Sequence, residues 1–264
     1  MTVRHDIVSI ERRGSVGIIW LHNPPLNVVT KPLSIAFRSA LQAVETDAAI
    51  RALVITGTGD RAFCAGSDIR EFSHDLAPGE IVSEKLALQN EVFLNLERFS
   101  KPTIAAITGL AFGGGLEIAI CCDLIVAEER STFALPEIKL GVFPGSGGTI
   151  RVARRIGKSR AKEMMLLGDP IDARTALQWG LINRVADTGS ALQCALDLAQ
   201  RLAIGPALAL KECKDIIEHS WELPIREALQ RSMSASDRVF RSDEKREGVA
   251  AFLEKRSPNF AGKR

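Results

Sequence analysis

The chain has 264 residues, of which 46% are hydrophobic and 25% charged, and its formal net charge is +2. This composition is typical of a globular protein with a sizeable core, and it argues against disorder. Charges of both signs are interspersed, so no basic stripe of the kind that binds nucleic acid or a membrane surface stands out. The longest apolar runs, such as Leu116–Cys122, are too short to span a bilayer.

Five cysteines occur, and two of them, Cys121 and Cys122, are adjacent. An odd number without a C-x-x-C pair is not a disulfide framework and fits a reducing compartment. The four histidines are scattered without zinc-binding spacing, so we expect no metal site. The β-type segment Ile7–Ile10 leaves no room before it for the apolar core of a signal peptide. We therefore expect a cytoplasmic protein.

Short β-type segments alternate with helical segments in the first half of the chain. The β-type segments are Val16–Leu21, Ala52–Thr56, Thr103–Thr108, Ile125–Ala127 and Thr132–Leu135, and the helical ones are Leu33–Val44 and Glu84–Phe99. Strands that alternate with helices predict an α/β fold.

Beyond about residue 147 the β signal fades. Asp172 is a suitable N-cap for a helix over Ala173–Trp179, and Gly180 is a suitable stop. Further helices are predicted at Ala191–Leu202, Ala207–Ser220, Ile225–Phe240 and Asp243–Lys255. We predict an α/β core over residues 1–190 and an all-helical region over residues 191–264.

A first segment of interest, residues 61–70, reads Arg-Ala-Phe-Cys-Ala-Gly-Ser-Asp-Ile-Arg. Its small side chains let another chain or a ligand approach the backbone closely, and Asp68 can cap a helix that begins near Ile69. Taken alone, such a segment is more often a plain strand-to-helix corner.

A second segment places three consecutive glycines, Gly113–Gly115, directly before an apolar helix that contains Glu117. The glycines leave backbone N–H groups uncovered and the helix N-terminus adds partial positive charge, so this turn can hold an oxyanion. Tight packing of a strand on a helix would also explain the glycines. Glu117 fits that explanation poorly, because residues 118–122 are all apolar; its main structural alternative is an interaction with the helix dipole.

The third segment, residues 133–149, contains Glu137 directly after Pro136 and among apolar residues. Apolar surroundings raise the pKa of a carboxyl group, which suits it to proton transfer near neutral pH. A lone acid at a turn is usually a cap or a surface charge, but two acids beside an exposed glycine backbone are less easily explained in that way. Ser146 is not a nucleophile of the elbow type, because Pro144 stands where that motif requires glycine.

Together these segments resemble the crotonase (enoyl-CoA hydratase/isomerase) family. Residues 63–68 match its F-x-A-G-x-D loop, and residues 109–117 match its G-x-x-x-G-G-G-x-E turn and helix. Residues 136–149 match its P-E-x-x-L-G-x-x-P-G-x-G-G-T block. The stretches 25–27 and 168–185 agree as well, so the resemblance covers essentially the whole chain.

The resemblance implies a spiral of β-β-α units that forms two roughly perpendicular sheets. It also implies that the C-terminal helices make trimer contacts and that two trimers can pair into a hexamer. Apolar residues at helical spacing would serve such contacts, or alternatively fold back on their own core; they are Val239, Phe240, Val249, Phe252 and Leu253.

For the site, the resemblance implies an acyl-CoA thioester as substrate and no cofactor, since coenzyme A is part of that substrate. The backbone N–H groups of Ser67 and Gly114 would form the oxyanion hole. Glu117 would deprotonate the attacking water and Glu137 would deliver a proton to the α-carbon. The substrate-binding residues would be Ala65, Gly66, Ser67, Asp68, Ile69 and Arg70, with Leu26 in a turn beside the CoA site.

Both acids together favour hydration of a 2-enoyl-CoA, or the reverse dehydration. Three alternatives remain open: an enoyl-CoA isomerase that uses Glu137 alone, a carnitinyl-CoA-type dehydratase, and an RNA-binding protein on the same scaffold. Leu135 stands where many family members have a polar residue, and the chain contains no tyrosine. These two departures concern the preference for the acyl chain.

Overall fold

A computed structural model describes residues 3–5, 7–72 and 76–260, with only the backbone described for 3–5. The strands within these residues are β1 (Val3–His5), β2 (Val8–Arg13), β3 (Val16–Leu21), β4 (Ala52–Gly57), β5 (Ala62–Cys64), β6 (Thr103–Ile107), β7 (Leu110–Phe112), β8 (Leu124–Glu128), β9 (Thr132–Ala134), β10 (Ile171–Asp172) and β11 (Arg184–Ala186). The α-helices are α1 (Lys31–Thr46), α2 (Ala87–Glu97), α3 (Gly114–Ile120), α4 (Gly148–Ile156), α5 (Lys158–Leu167), α6 (Ala173–Trp179), α7 (Ala191–Ala203), α8 (Ala207–His219), α9 (Ile225–Phe240) and α10 (Asp243–Leu253). Short 3₁₀ helices span Ile69–Glu71 and Pro136–Leu140, and a π-helical turn spans Val82–Leu86.

The strands form two sheets. The larger has seven strands in the order β1-β2-β3-β4-β6-β8-β11, and the smaller has four in the order β10-β9-β7-β5. In the larger sheet β1 to β3 are antiparallel, and β3 to β11 are parallel. The smaller sheet is parallel except for the β9–β10 pair.

Successive strands are divided between the two sheets in a regular way. Strands β4, β6 and β8 lie in the larger sheet, and the strand that follows each of them lies in the smaller one. A helix then returns the chain to the larger sheet after β5 and again after β7. The predicted spiral of β-β-α units is therefore confirmed.

The central strands are buried on both faces, because helices cover the larger sheet on each side. Every residue of β4 and β6 is buried, as their continuous apolar sequences predict. Side chains of β4 that point one way join the main core with α1 and the smaller sheet, whereas those that point the other way pack under α7. Four alanines on the buried face of α7 let this helix approach the sheet closely.

The predicted cap of α6 is confirmed, since the Asp172 carboxylate accepts a hydrogen bond from the Thr175 N–H at 2.7 Å and Gly180 adopts a left-handed conformation. In contrast, the sequence patterns did not indicate α4 and α5, nor strands β10 and β11 beyond residue 147. These strands have two and three residues, which is too short for an alternating pattern to show.

Helices α8 to α10 bury little of their apolar surface. Only Ala235 and Ala251 are buried in them, and Phe240, Phe252 and Leu253 are 69–83% exposed. Ion pairs such as Arg238–Glu212 link these helices to one another. The boundary predicted at residue 190 is not tested by this arrangement and stays a prediction.

Candidate active site

The loop that follows β5 presents one unused backbone N–H group. Its neighbours are bonded to the turn before α1, because the Val29 N–H donates to the Gly66 carbonyl at 2.7 Å and the Asp68 N–H donates to the Val29 carbonyl at 3.0 Å. The Ser67 N–H lies between these two bonds and has no acceptor among the described residues. Hydrogen bonds on both sides therefore fix the direction of this free donor.

A second unused N–H group faces the first from the start of α3. The Gly113 N–H donates to the Ala134 carbonyl at 2.9 Å, but Gly114 is the first residue of the helix, where an N–H has no partner within the helix. A Cβ atom on Gly114 would lie 3.7 Å from the Ser67 nitrogen, and one on Gly66 would lie 3.5 Å from the Gly114 nitrogen. Glycine at position 66 permits this close approach, because its φ is +101° and a Cβ atom there would lie 3.0 Å from the Phe112 carbonyl oxygen. The predicted oxyanion donors are thus brought together.

Glu117 is the fourth residue of α3, and it is only 3% exposed. Its Oε1 accepts hydrogen bonds from the backbone N–H groups of Ser146 at 2.9 Å and Gly148 at 2.8 Å. Burial raises the pKa of the Glu117 carboxyl group, and these two bonds and the Arg151 guanidinium oppose that increase. Both backbone bonds go to one oxygen, so Oε2 is left for a substrate or a water.

Glu137 lies in the 3₁₀ helix Pro136–Leu140. Pro136 is the first residue of this helix, and its ring fixes the backbone angle φ there. Burial raises the pKa of the Glu137 carboxyl group to about 7, and the neighbouring Glu117 contributes to the increase. Its Oε2 is buried and has no hydrogen-bond partner among the described residues. A Cβ atom on Gly113 would lie 3.0 Å from Glu137 Oε1, so this carboxyl group borders the glycine turn.

The other predicted substrate-binding residues lie in the loop after β5 and in the 3₁₀ helix that follows it, except for Leu26, which lies in the turn before α1. The Ala65 N–H donates to the Leu26 carbonyl at 2.9 Å, which holds the turn 25–28 against it. Asp68 caps the 3₁₀ helix by accepting from the Arg70 N–H at 3.0 Å, as predicted, and the Arg70 guanidinium holds the pKa of Asp68 at about 2. Ile69 is 57% exposed and the Arg70 side chain is 83% exposed, so both reach the surface. Their role in binding stays a prediction.

The sequence patterns missed the residues that hold Glu117. Ser146 and Gly148 bind Glu117 and Arg151 lies nearby, but neither the family block nor the absent nucleophile elbow at residues 144–149 indicates these contacts. The glycine at position 148 was the available signal of a close contact. A Cβ atom there would lie only 2.9 Å from Glu117 Oε1, so a larger residue would collide with the carboxylate. Gln89, which binds Ser146, gave no signal because it lies 57 residues away in the chain.

The arrangement can perform proton transfer next to a polarised carbonyl group. A buried and a half-buried carboxyl group, both with raised pKa values, lie near two free, neighbouring N–H donors. Such donors stabilise negative charge that develops on a carbonyl oxygen, and the carboxyl groups can supply and remove protons beside it.

Comparison with known proteins agrees with this chemistry. A model of the enoyl-CoA hydratase/isomerase family matches residues 11–263. The mitochondrial enoyl-CoA hydratase of Pongo abelii is 37% identical over 97% of this chain and 88% of its own length. The carnitinyl-CoA dehydratase of Proteus mirabilis is 37% identical over 95% and 97%. The crystal structure of an enoyl-CoA hydratase from Bacillus anthracis superposes with a TM-score of 0.92 at 30% identity, covering 97% of this chain and 100% of that one.

Proposed function

The chain belongs to the enoyl-CoA hydratase/isomerase family, and from that premise we propose that it catalyses the reversible addition of water to a 2-enoyl-CoA. The observation that carries the proposal is the pairing of Glu117 and Glu137 beside the free N–H groups of Ser67 and Gly114. In a double-bond shift a single carboxyl group can remove a proton from one carbon and return it to another. Addition of water instead removes a proton from the water that attacks the β-carbon and delivers one to the α-carbon, and two carboxyl groups can divide these transfers. The presence of two suitably placed acids therefore favours hydration.

The two N–H groups act on the thioester carbonyl. When they bind its oxygen, negative charge can move there as water attacks the β-carbon, and the π electrons of the double bond shift toward the α-carbon. Removing one such donor typically lowers the rate about 10²–10³-fold. This polarisation supplies the electrophilic assistance of the step, so we expect neither a metal nor a redox cofactor.

The two carboxyl groups divide the proton transfers. Glu117 takes a proton from water through its unbonded Oε2 while its Oε1 is held by the backbone. Glu137 has a pKa of about 7, so near neutral pH a large fraction is protonated and can deliver a proton to the α-carbon. In the dehydration direction each group performs the opposite transfer. The acyl-pantetheine part would pass the loop 65–70, with Leu26 at its border.

A spectrophotometric panel of 2-enoyl-CoAs that differ in length and branching tests the reaction. We expect loss of the conjugated enoyl absorbance for at least one member, without added metal or cofactor. Conversion of a 3-enoyl-CoA to its 2-isomer without hydration of any 2-enoyl-CoA would instead establish the isomerase. Binding of RNA at physiological ionic strength, together with an inactive panel, would establish the non-enzymatic alternative.

The carnitinyl-CoA-type dehydratase is the second candidate, since the Proteus mirabilis relative has that name. It uses the same acids and differs in the acyl group. Including carnitinyl-CoA in the panel separates the two enzymes. Only the dehydratase should convert carnitinyl-CoA at a rate comparable to the highest rate measured with any other member of the panel.

We also propose that the protein assembles as a homotrimer or a dimer of trimers. The support is the apolar surface of α8 to α10, where Phe240, Val249, Phe252 and Leu253 are 47–83% exposed. Large exposed apolar patches usually mark an interaction surface. Light scattering should give three or six times the chain mass, and removal of residues 223–264 should cause aggregation. A fully active monomer would overturn this proposal.

The five cysteines are all free. Free thiols fit a reducing compartment, and we propose the cytoplasm. Among the described residues no helix is long and apolar enough to cross a membrane.

A further inference from the structure

Ser146 occupies an unusual position behind the proposed base, because all three of its polar groups are engaged. Its N–H donates to Glu117 Oε1 at 2.9 Å, its Oγ donates to Gln89 Oε1 at 2.8 Å, and its carbonyl accepts from Arg151 Nη1 at 3.1 Å. Ser146 and Gln89 are 2% and 3% exposed. A buried residue with this many fixed bonds has little freedom to move, and neither has the carboxylate bound to it.

Arg151 is itself held by a second carboxylate. Its Nε and Nη2 donate to the two oxygens of Glu97, both at 2.8 Å, and the side chains are 13% and 19% exposed. This two-point contact fixes the guanidinium plane. Gly147 makes room for it, because a Cβ atom at that position would lie 2.0 Å from Arg151 Nη1.

Two consecutive residues of helix α2 therefore form hydrogen bonds with two consecutive residues of the loop before α4. Gln89 binds the Ser146 hydroxyl group, and the Asn90 side-chain amide donates to the Gly145 carbonyl at 3.1 Å. Glu97, at the end of the same helix, binds Arg151 two turns further on. The catalytic motifs lie in α3 and in the loop, but the residues that fix the loop come from α2, outside those motifs.

We propose that Gln89, Ser146, Arg151 and Glu97 form a positioning network that holds Glu117 Oε1 on the protein side and directs Oε2 toward the attacking water. The proposal rests on the proposed hydratase function. None of the four touches the substrate in this account, and each acts through Glu117.

The network also sets the charge around Glu117. The titratable groups that interact electrostatically with it are Glu137 on the 3₁₀ helix, Arg151 on α4 and Cys121 just after its own helix, and Glu97 binds Arg151. Burial raises the pKa of the Cys121 thiol, so it stays neutral. Arg151 is therefore the positive group that opposes the burial of the Glu117 carboxylate.

The test compares two reactions that differ in their need for Glu117. Hydration needs both acids, whereas exchange of an α-proton of a saturated acyl-CoA with D₂O needs only Glu137 and the oxyanion hole. Arg151→Gln should lower the hydration kcat about 10–10²-fold with little change in KM, because a small misplacement of a catalytic group has effects of this size. Exchange should remain within about threefold of the wild-type rate. It does not need Glu117, so misplacing that carboxylate should not slow it as it slows hydration.

The pH profile supplies a readout that a purely structural role would not change. Without the Arg151 charge, the acid limb of hydration kcat/KM should move upward by about half a pH unit or more, since a nearby positive charge favours the ionised carboxylate. Ser146→Ala keeps the N–H and the charge of Arg151. It should lower hydration kcat less than Arg151→Gln does and leave the limb in place, so it also serves if Arg151→Gln does not fold.

Arg155→Gln is the matched control. Arg155 is also half-buried on α4, one turn beyond Arg151, but it donates to the Ile120 carbonyl and to Asn183 rather than to the loop. The Arg155→Gln variant should therefore hydrate the substrate at nearly the wild-type rate. Wild-type hydration and an unshifted limb in Arg151→Gln would overturn the network, and so would an equal loss of hydration and exchange in the folded variants. A wild-type protein that hydrates no 2-enoyl-CoA would instead refute the proposed function.

Discussion

Glu117 and Glu137 are close enough to interact electrostatically, but their immediate surroundings differ. Glu117 is almost fully buried, yet two backbone N–H groups bind one of its oxygens and a guanidinium lies nearby. Glu137 is less deeply buried, and its Oε2 has no partner among the described residues. Burial raises the pKa of both groups, but only around Glu117 do several groups favour the charged form. This difference lets one acid act as a base while the other holds a proton near neutral pH.

The largest expected effect comes from neutralising either acid. Glu117→Gln and Glu137→Gln should each lower the hydration kcat by about 10²–10⁴-fold, which is the usual contribution of a general acid or base. Because both act on one water, the double variant should be little slower than the slower single variant. Steady-state kinetics on the best 2-enoyl-CoA measure this, with thermal unfolding as the control for folding. Wild-type hydration by either variant would refute the two-acid mechanism.

The oxyanion donors are common to both carboxylates, so their loss should affect every reaction at the site. Ser67→Pro removes the N–H and should lower kcat at least about 10²-fold. Ser67→Ala keeps the N–H and should retain most activity. If the alanine variant were as inactive as the proline variant, the hydroxyl group would have a chemical role that this mechanism lacks.

The pH dependence separates the two acids. Hydration requires Glu137 to be protonated, so kcat/KM should fall about tenfold per unit above the pKa of about 7. It also requires Glu117 to be ionised, which gives a fall on the acid side. Because the groups interact, the measured pKa values belong to the pair. A profile that stays flat from pH 6 to 9 would contradict the role of Glu137 as the proton donor.

A smaller effect is expected on stability. The folded-state pKa of Glu137 is raised from 4.5 to about 7, so the native protein binds more protons than the unfolded chain between these values and loses stability as the pH rises through them. Glu137→Gln removes that loss and should raise the apparent Tm by a few degrees at pH 8, with little change at pH 4. Equal Tm values for wild type and Glu137→Gln at pH 8 would contradict the raised pKa.

The sequence predicted most of what local patterns can encode. Apolar runs gave the buried strands β4 and β6, and the cap at Asp172 gave the start of α6. The spacing of glycines and acids gave the segments that meet at the site. Strands of two or three residues, such as β10, are fixed by pairing with distant strands and leave no periodic signal.

The residues that support Glu117 could not be predicted in the same way. Gln89 lies in a helix 57 residues before Ser146, and Glu97 lies 54 residues before Arg151. Nothing in the local sequence distinguishes a buried glutamine on an amphipathic helix from a solvated one. Only the packing of α2 on the loop before α4 brings these groups together, and that packing depends on the whole spiral.

The division of labour between the two acids is tested most directly by α-proton exchange. Incubating a saturated acyl-CoA in D₂O with wild type, Glu117→Gln and Glu137→Gln, and following deuterium at the α-carbon by mass spectrometry, isolates the step assigned to Glu137. Glu117→Gln should exchange within about tenfold of the wild-type rate although its hydration falls by 10²-fold or more, whereas Glu137→Gln should lose both activities. Loss of exchange in Glu117→Gln, or its retention in Glu137→Gln, would contradict the roles proposed for the two carboxyl groups.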